Sequence, residues 1–195
     1  MKTAFFDIDT QIDFLFPAGA LYVPGAERLL PAIAALNRHA AAHGHPLVSD
    51  VDAHTEDDPE FRVWPPHCVA GTAGQMKPAE TLLDGRVVIP NRPVGVDVAG
   101  ARQIIFEKQQ LDPFTNPNIH ALLAALGADE YVVYGVVTEY CVRCTLLGLL
   151  DTGKPVTLVT GAVETLRRED SDRTIREFTA RGGRLATVAD IIGRG

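Results

Sequence analysis

Three side chains that could work together chemically each follow a short apolar segment of the chain: Asp9, Lys108 and Cys141. A carboxylate can accept the proton of a thiol, and a neighbouring ammonium group lowers the pKa of that thiol by favouring the thiolate. Together they would form a nucleophile, a base and a cation. If the chain brings the three side chains together, this combination predicts covalent catalysis by a cysteine.

Cys141 lies in the first turn of a predicted helix, Thr138–Leu150, directly after a strongly apolar segment. The positive end of the helix dipole and the free backbone N–H groups there favour a thiolate and can bind an oxyanion. Thr138 is the predicted N-cap of this helix. Cys144, one helical turn further on, and Cys68 are interpreted as structural cysteines.

A second group of polar residues has the spacing of a metal site. Asp52 and His54 are two residues apart, so an extended chain would point both side chains the same way. Glu60 and His67 follow in the same segment. Two imidazoles and two carboxylates suit Zn²⁺, Fe²⁺ or Mn²⁺, and the sequence does not decide among these metals. A solvated surface loop is the alternative, since residues 56–58 are consecutive acids.

Short apolar segments alternate with amphipathic stretches of helical length along the chain. This alternation predicts parallel strands joined by helical crossovers, with helices on both faces of the sheet. We therefore expect one three-layer α/β/α domain over residues 1–195, with a central, mostly parallel sheet. The predicted strands are Thr3–Ile8, Pro46–Ser49, Gln103–Phe106, Tyr131–Val137, Val156–Val159 and Arg184–Thr187, and the predicted helices are Ala26–Ala42, Pro117–Leu126, Thr138–Leu150 and Asp170–Arg181.

The predicted sheet also predicts where a ligand would bind. Ligands of open parallel sheets bind beyond the carboxyl ends of the strands, where Asp9, Lys108 and Cys141 fall. Alternation along the first strand would place Asp7 on the same side as Asp9. Residues 50–91 show neither helical nor strand periodicity, and we interpret them as a functional, metal-binding loop region within the domain.

Composition limits the classes of function. The chain has 195 residues, 46% of them hydrophobic, and a formal net charge of −7. These values are typical of a globular protein, and the excess of carboxylates argues against binding to nucleic acid or to an anionic membrane. The apolar stretches are shorter than the ~20 residues that cross a bilayer. The low cysteine count, three, predicts a reducing, cytoplasmic location.

Five motifs spread over the chain carry a family resemblance. They are Asp9-x-Gln11-x-Asp13-Phe14, Asp52-x-His54, Trp64-Pro65-Pro66-His67-Cys68-Val69-x-Gly71-Thr72, Lys108, and Gly135-Val136-Val137-Thr138-Glu139-Tyr140-Cys141-Val142-Arg143. In order and spacing they resemble the nicotinamidase/pyrazinamidase branch of the isochorismatase-like cysteine hydrolases. The aspartate and cysteine motifs mark the superfamily, whereas the Asp-x-His pair with the Trp-Pro-Pro-His segment is more specific to nicotinamidases.

The resemblance implies an isochorismatase-like hydrolase fold and a catalytic triad of Asp9, Lys108 and Cys141. The implied activity is metal-dependent hydrolysis of nicotinamide, and also of pyrazinamide, to the carboxylic acid and ammonia through a thioester, a reaction of NAD salvage. The family also implies a cis peptide bond between Val136 and Val137. That bond would direct the backbone amides of Val137 and Cys141 at one oxyanion.

The resemblance further implies a divalent metal held by Asp52, His54 and His67, with the pyridine ring between Phe14 and Trp64. The chain departs from the family where many members carry another histidine shortly after the Asp-x-His pair. Glu60 resembles the glutamate ligand that some members use, and Asp57 or Asp58 remains an alternative fourth ligand. Both the fourth ligand and the metal therefore stay open.

Other functions compete with this interpretation. A relative with the same thioester chemistry could hydrolyse an N-carbamoyl or ureido substrate. A phosphatase of the haloacid dehalogenase type is disfavoured, because Gln11 stands where that motif requires Thr or Val. A non-catalytic binding module would leave Cys141 open to alkylation without hydrolysis. A small amide is the expected ligand, and a homo-oligomer stays open.

Overall fold

The computed structural model describes residues 1–193, so the last two residues of the expected domain, 194 and 195, lie outside the description. The strands are β1 Thr3–Ile8, β2 Leu47–Asp52, β3 Arg86–Ile89, β4 Gln103–Lys108, β5 Glu130–Gly135, β6 Val156–Val163 and β7 Arg184–Ala186. Within the described residues these seven strands form one sheet in the order β3-β4-β2-β1-β5-β6-β7. Every neighbouring pair is parallel, which confirms the predicted sheet.

Six α-helices accompany the sheet within residues 1–193. They are α1 Ile12–Leu15, α2 Leu30–Ala42, α3 Ile119–Leu126, α4 Arg143–Leu150, α5 Arg168–Ala180 and α6 Val188–Ile192. The longest, α2 and α5, have 13 residues each. In this described part of the chain, no helix is long and apolar enough to cross a membrane.

The two faces of the sheet are buried under separate sets of helices. Phe6 belongs to the core cluster that α3, α4 and α5 cover, and its neighbour Phe5 to the cluster that α2 and α6 cover. Successive side chains of a strand point to opposite faces, so β1 contributes to both clusters. All six residues of β1 and of β5 are buried. Strands covered on both faces are almost continuously apolar, which is why the sequence predicts these two so directly.

One strand, β3, is missing from the sequence prediction. It lies inside residues 50–91, which we expected to have no periodic structure, and it pairs with β4 at the edge of the sheet. β3 is four residues long and only Ile89 is buried, while Val88 is 58% exposed. An edge strand this short carries no recognisable apolar pattern. The expectation of a non-periodic loop was therefore wrong for this part of the segment.

The predicted helix Thr138–Leu150 is divided in two. Residues Thr138–Val142 form a π turn in which Tyr140 has non-helical angles (φ −117°, ψ −106°), and α4 starts after it. Thr138 does not cap a helix, because its hydroxyl and its backbone amide both donate to the carbonyl oxygen of Glu164. This tertiary contact replaces the local cap that the sequence predicts.

Candidate active site

The carboxyl ends of three strands bring an acid pair and a lysine together. Asp9 directly follows β1, Asp52 is the last residue of β2, and Lys108 is the last residue of β4. The register of the parallel strands places Asp52 beside Lys108. All three side chains are buried. Parallel pairing thus positions residues that are far apart in the sequence.

Lys108 is the centre of this group. Its Nζ lies 2.9 Å from Asp9 Oδ2 and 3.8 Å from Cys141 Sγ, and it also donates to Asp52 Oδ1. Burial alone would lower the pKa of Lys108, but Asp52 and Asp9 hold it well above its ordinary value. Lys108 is therefore a permanent cation between two carboxylates and a thiol.

Cys141 reaches the group through the π turn that follows β5. At the end of β5, Gly135 has a φ of +119°, and a Cβ there would lie 2.1 Å from the carbonyl oxygen of Ile8. Glycine is thus required where β5 passes closest to β1. One residue further on, the peptide bond between Val136 and Val137 is cis, as the family resemblance implies.

The pKa values of the acid and the thiol are both raised. Burial, reinforced by Asp52, raises the pKa of Asp9 to about 6 although Lys108 opposes the shift. Burial and then Asp9 raise the pKa of the Cys141 thiol well above its ordinary value, and Lys108 only partly offsets them. The lysine lowers the pKa of the thiol, as expected, but burial and Asp9 outweigh it. The buried thiol retains its proton until a base takes it.

Asp7 belongs to a separate network, in contrast to the predicted alternation with Asp9. Its carboxylate accepts from Asn37 at 3.0 Å and from Lys77 at 2.9 Å. Asp9 lies beyond the strand and has a left-handed φ of 48°, so strand alternation no longer applies to it. Asp7 thus stabilises the sheet against α2, and Asp9 is left to pair with Lys108.

Asp52 also belongs to a second group that can hold a metal ion. The ligand atoms of Asp52, His54 and His67 all lie within 4.8 Å of one another, and the three residues are buried. Nε2 of each imidazole lies 3.7 Å from Asp52 Oδ2. Asp52 therefore joins the lysine cluster, through Oδ1, to the imidazole pair, through Oδ2. Burial opposes its ionisation, but Lys108 and the two imidazoles hold the pKa of Asp52 well below its ordinary value.

The orientation of the two imidazoles fits a divalent metal. Nδ1 of His54 lies 3.0 Å from the Asp58 carboxylate, and Nδ1 of His67 lies 2.8 Å from the carbonyl oxygen of Pro65. A metal-ligating histidine typically turns its other ring nitrogen toward a carboxylate or carbonyl oxygen, and both imidazoles are turned this way, which leaves each Nε2 for a metal. Neither ring nitrogen of His54 has a hydrogen-bond partner of good geometry among the described residues, although Nδ1 lies close to the Asp58 carboxylate. A buried imidazole nitrogen without a partner is what a missing metal ligand bond would leave.

The three candidates for the fourth ligand occupy different places. Glu60 lines the cavity beside the metal group but is not among the residues whose ligand atoms converge. Asp57 is exposed, and Asp58 contacts the outer nitrogen of His54. Glu60 as a metal ligand therefore stays a prediction, while Asp58 is placed to orient His54.

Gln11 and Asp13 hold the backbone next to the metal-site residues in place, roles that the sequence did not reveal. Gln11 accepts from the backbone amide of Asp52 and donates to its carbonyl, both at 2.8 Å. Asp13 accepts from the backbone amide of Cys68, next to His67, at 2.7 Å. The signal in the sequence that could have pointed to these two residues is their place in the Asp9-x-Gln11-x-Asp13 motif. Cys68 itself is fully buried, in agreement with a structural role.

A small cavity leads from the metal group to the sulfur. Phe14, Trp64, Val137 and Cys141, which the sequence analysis selected, all line it. Tyr140, which the sequence places beside the nucleophile, lines it as well. The sequence did not single out four further lining residues, because they come from loops: Leu21, Val23, Leu111 and Leu166.

Asp50 is a further buried acid near the site. Both carboxylate oxygens of Asp50 lack a hydrogen-bond partner among residues 1–193, and burial raises the pKa of Asp50 well above its ordinary value. In the sheet Asp50 lies beside Ile8 and Phe106. Its burial therefore costs free energy that no hydrogen bond among these residues returns.

We expect Asp50→Val to raise the free energy of unfolding by about 1–3 kcal/mol, because it removes an unsatisfied buried group. Urea unfolding at neutral pH measures this. Ser49→Val is the matched control one residue away: Ser49 accepts from Gln103 at 2.8 Å, so its loss should destabilise. A lower unfolding free energy for Asp50→Val would contradict the prediction.

Fold and site together define an α/β protein with a buried Asp–Lys–Cys cluster beside an Asp-His-His metal group. The sequence matches the isochorismatase domain family over residues 3–190, and the chain belongs to that family.

Its relatives include amidases. The nicotinamidase/pyrazinamidase of Mycobacterium tuberculosis is 31% identical over 147 residues, which cover 71% of this chain and 73% of the relative. The crystal structure of Pyrococcus horikoshii pyrazinamidase in complex with zinc has a TM-score of 0.79 at 29% identity, covering 96% of this chain and 99% of that one. N-carbamoylsarcosine amidase from Thermoplasma acidophilum has a TM-score of 0.76 at 25% identity, covering 96% and 97%.

Proposed function

We propose that this chain is a metal-dependent amidohydrolase that converts nicotinamide, and pyrazinamide, to the carboxylic acid and ammonia through a thioester. The observation that carries the proposal is the junction at Asp52. One oxygen of Asp52 accepts a hydrogen bond from Lys108, whose Nζ also contacts Asp9 and Cys141. The other oxygen faces the imidazoles of His54 and His67. A nucleophile and a candidate ring-binding metal group thus share one small cavity. The named relatives act on the same two amides or carry zinc.

In the first half of the reaction, Asp9 takes the proton of the Cys141 thiol and Sγ forms a bond to the carboxamide carbon. The raised pKa of Asp9, about 6, makes it a stronger base than an ordinary aspartate. The electron pair of the C=O bond moves to oxygen, and the backbone amides of Val137 and Cys141 donate to it. Lys108 stays charged and compensates the negative charge of the acid and the sulfur.

In the second half, Asp9 returns its proton to the nitrogen, the C–N bond breaks and ammonia leaves. Asp9 then takes a proton from water as the water oxygen bonds to the thioester carbon. The C–S bond breaks, the sulfur regains the proton, and the carboxylic acid is released. The sum is amide plus water giving acid plus ammonia.

Asp52, His54 and His67 would hold the divalent metal, zinc, iron or manganese, with Glu60 as the proposed fourth ligand. When bound, the ion supplies an anchor for the ring nitrogen of the substrate. Phe14 and Trp64 would pack on the faces of the ring and exclude water. Both line the cavity. Holding the carboxamide against the sulfur in this way converts binding energy into correct orientation.

Ammonia release from nicotinamide, before and after chelation, tests the proposal. We expect chelated enzyme to lose most activity and to regain it with one of the three metals. His67→Ala should lose the metal, as measured by elemental analysis, and should not be rescued. His43→Gln is the matched control, since His43 is exposed on the turn after α2. A protein that releases no ammonia from nicotinamide with any of the three metals would refute the proposal.

An N-carbamoyl or ureido substrate is the second candidate, because the fold is also similar to N-carbamoylsarcosine amidase. The chemistry at Cys141 would be unchanged. A metal held by His54 and His67 at the edge of the cavity would favour a substrate with a heteroaromatic nitrogen over one without it. A panel containing nicotinamide, pyrazinamide, benzamide and N-carbamoylsarcosine separates the candidates by kcat/KM.

The pH profile follows from Asp9. Because burial raises the pKa of Asp9 to about 6, the ionised base is fully present above that pH and is lost as the pH falls through it. We expect kcat/KM to rise about tenfold per pH unit below pH 6 and to level off above pH 7. Initial rates from pH 4.5 to 8 measure this, with each sample also assayed at pH 7.5 to detect irreversible loss. A flat profile between pH 5 and 8 would contradict Asp9 as the base.

We place the protein in the cytoplasm, with a small amide as its ligand. Cys68, Cys141 and Cys144 are free thiols, as a reducing compartment maintains them. A free thiol is also what the proposed nucleophile requires.

A further inference from the structure

Glu139 connects the nucleophile turn to the loop before α5. Its carboxylate accepts three hydrogen bonds from consecutive residues: the Thr165 hydroxyl at 2.6 Å, the Leu166 amide at 3.0 Å and the Arg167 amide at 2.8 Å. Thr138, the preceding residue, donates twice to the carbonyl oxygen of Glu164. Hydrogen bonds therefore join the turn that carries Cys141 to this loop, with Thr138 and Glu139 on the turn and residues 164–167 on the loop.

The loop matters because Leu166 lines the candidate substrate cavity together with Tyr140 and Cys141. Leu166 is 40% exposed, so packing against the core holds it only in part. Hydrogen bonds to Glu139, rather than burial, fix the backbone of Leu166 over the cavity. A carboxylate suits this task, since it can accept several bonds at once and lies near the positive end of α5.

We infer that Glu139 is a positioning residue: it fixes Leu166 as one wall of the substrate cavity and so sets the affinity for the ring of the substrate. Glu139 takes no part in proton transfer. The identity of the ring rests on the proposed function, whereas the positioning of Leu166 does not.

Steady-state kinetics on nicotinamide test the effect on affinity. Glu139→Ala should raise KM roughly tenfold, as expected for the loss of one apolar contact with the ring, and change kcat much less. Glu139→Gln keeps an accepting oxygen and should recover much of the loss. Glu169→Ala is the matched control, because Glu169 is an exposed acid in the first turn of the same helix.

A double-mutant cycle tests whether Glu139 acts through Leu166. Leu166→Ala alone should raise KM about as much as Glu139→Ala, and the double variant should be no worse than Leu166→Ala. Additive effects, or a Glu139→Ala enzyme that loses kcat with KM unchanged, would overturn the inference.

Amide hydrogen exchange gives a readout that does not depend on the substrate. In Glu139→Ala the Leu166 and Arg167 amides should exchange at least tenfold faster, while those of β5 keep their protection. Unchanged exchange would overturn the positioning role. The wild-type protein could fail to hydrolyse nicotinamide. In that case, faster amide exchange in Glu139→Ala together with faster alkylation of its Cys141 by a bulky maleimide would still support Leu166 as a wall of the cavity that Glu139 positions. That result separates failure of the proposed function from failure of this inference.

Discussion

Cys141→Ala should abolish the release of ammonia from nicotinamide, lowering kcat by at least about 10⁴-fold, because the proposed thioester forms on this sulfur, the one thiol of the described residues that lines the candidate cavity. The side chain is buried beside Asp9 and Lys108, with Nζ of the lysine 3.8 Å from the sulfur. Its removal takes away one small side chain and a neutral thiol. The free energy of unfolding should therefore change by no more than about 1 kcal/mol. Ammonia release and urea unfolding of the same preparation measure the two effects.

Cys144→Ala is the matched control for this prediction. Cys144 is half-buried, one helical turn beyond Cys141, and does not line the candidate cavity. The Cys144→Ala enzyme should keep close to the wild-type kcat. A Cys141→Ala protein that releases ammonia at the wild-type rate would show that the chain does not use this sulfur.

Lys108→Met should damage both stability and activity. Lys108 is fully buried and faces the carboxylates of Asp9 and Asp52, so its replacement leaves two buried acids without a cation. Breaking a buried ion pair from one side costs about 3–5 kcal/mol. The remaining folded enzyme should lose at least about 10³-fold in kcat, because the charge that compensates the base and the sulfur is gone. Urea unfolding and kcat per folded molecule are the measurements.

Lys77→Met separates these two effects. Lys77 is also buried and pairs with Asp7 at 2.9 Å, in the network on the α2 side. The Lys77→Met protein should be destabilised to a similar degree. Its folded fraction should keep kcat within about threefold of wild type, since the substitution removes no contact to Asp9, Lys108 or Cys141. If Lys108→Met kept kcat in the same way, the lysine would have a structural role alone.

The sequence by itself determined the parallel sheet and the places where reactive residues could lie. The central strands β1 and β5 are buried on both faces, and this constraint shows directly as apolar runs. Since ligands of such sheets bind at the carboxyl ends of the strands, Asp9, Lys108 and Cys141 could be selected before any distance was known. The His54 and His67 imidazoles followed from ligand chemistry and spacing.

Tertiary structure decided what each of these residues faces. Three features leave no local pattern in the sequence: the short edge strand β3, the π turn at Tyr140, and an Asp50 carboxylate without a hydrogen-bond partner among residues 1–193. Lys108 lowers the pKa of the Cys141 thiol as its charge predicts, but burial outweighs it and the pKa is raised. Glu139 gained its role from a loop 26 to 28 residues further along the chain. Local periodicity records which residues are buried, whereas desolvation and hydrogen bonding between distant segments depend on the packed arrangement of the whole chain.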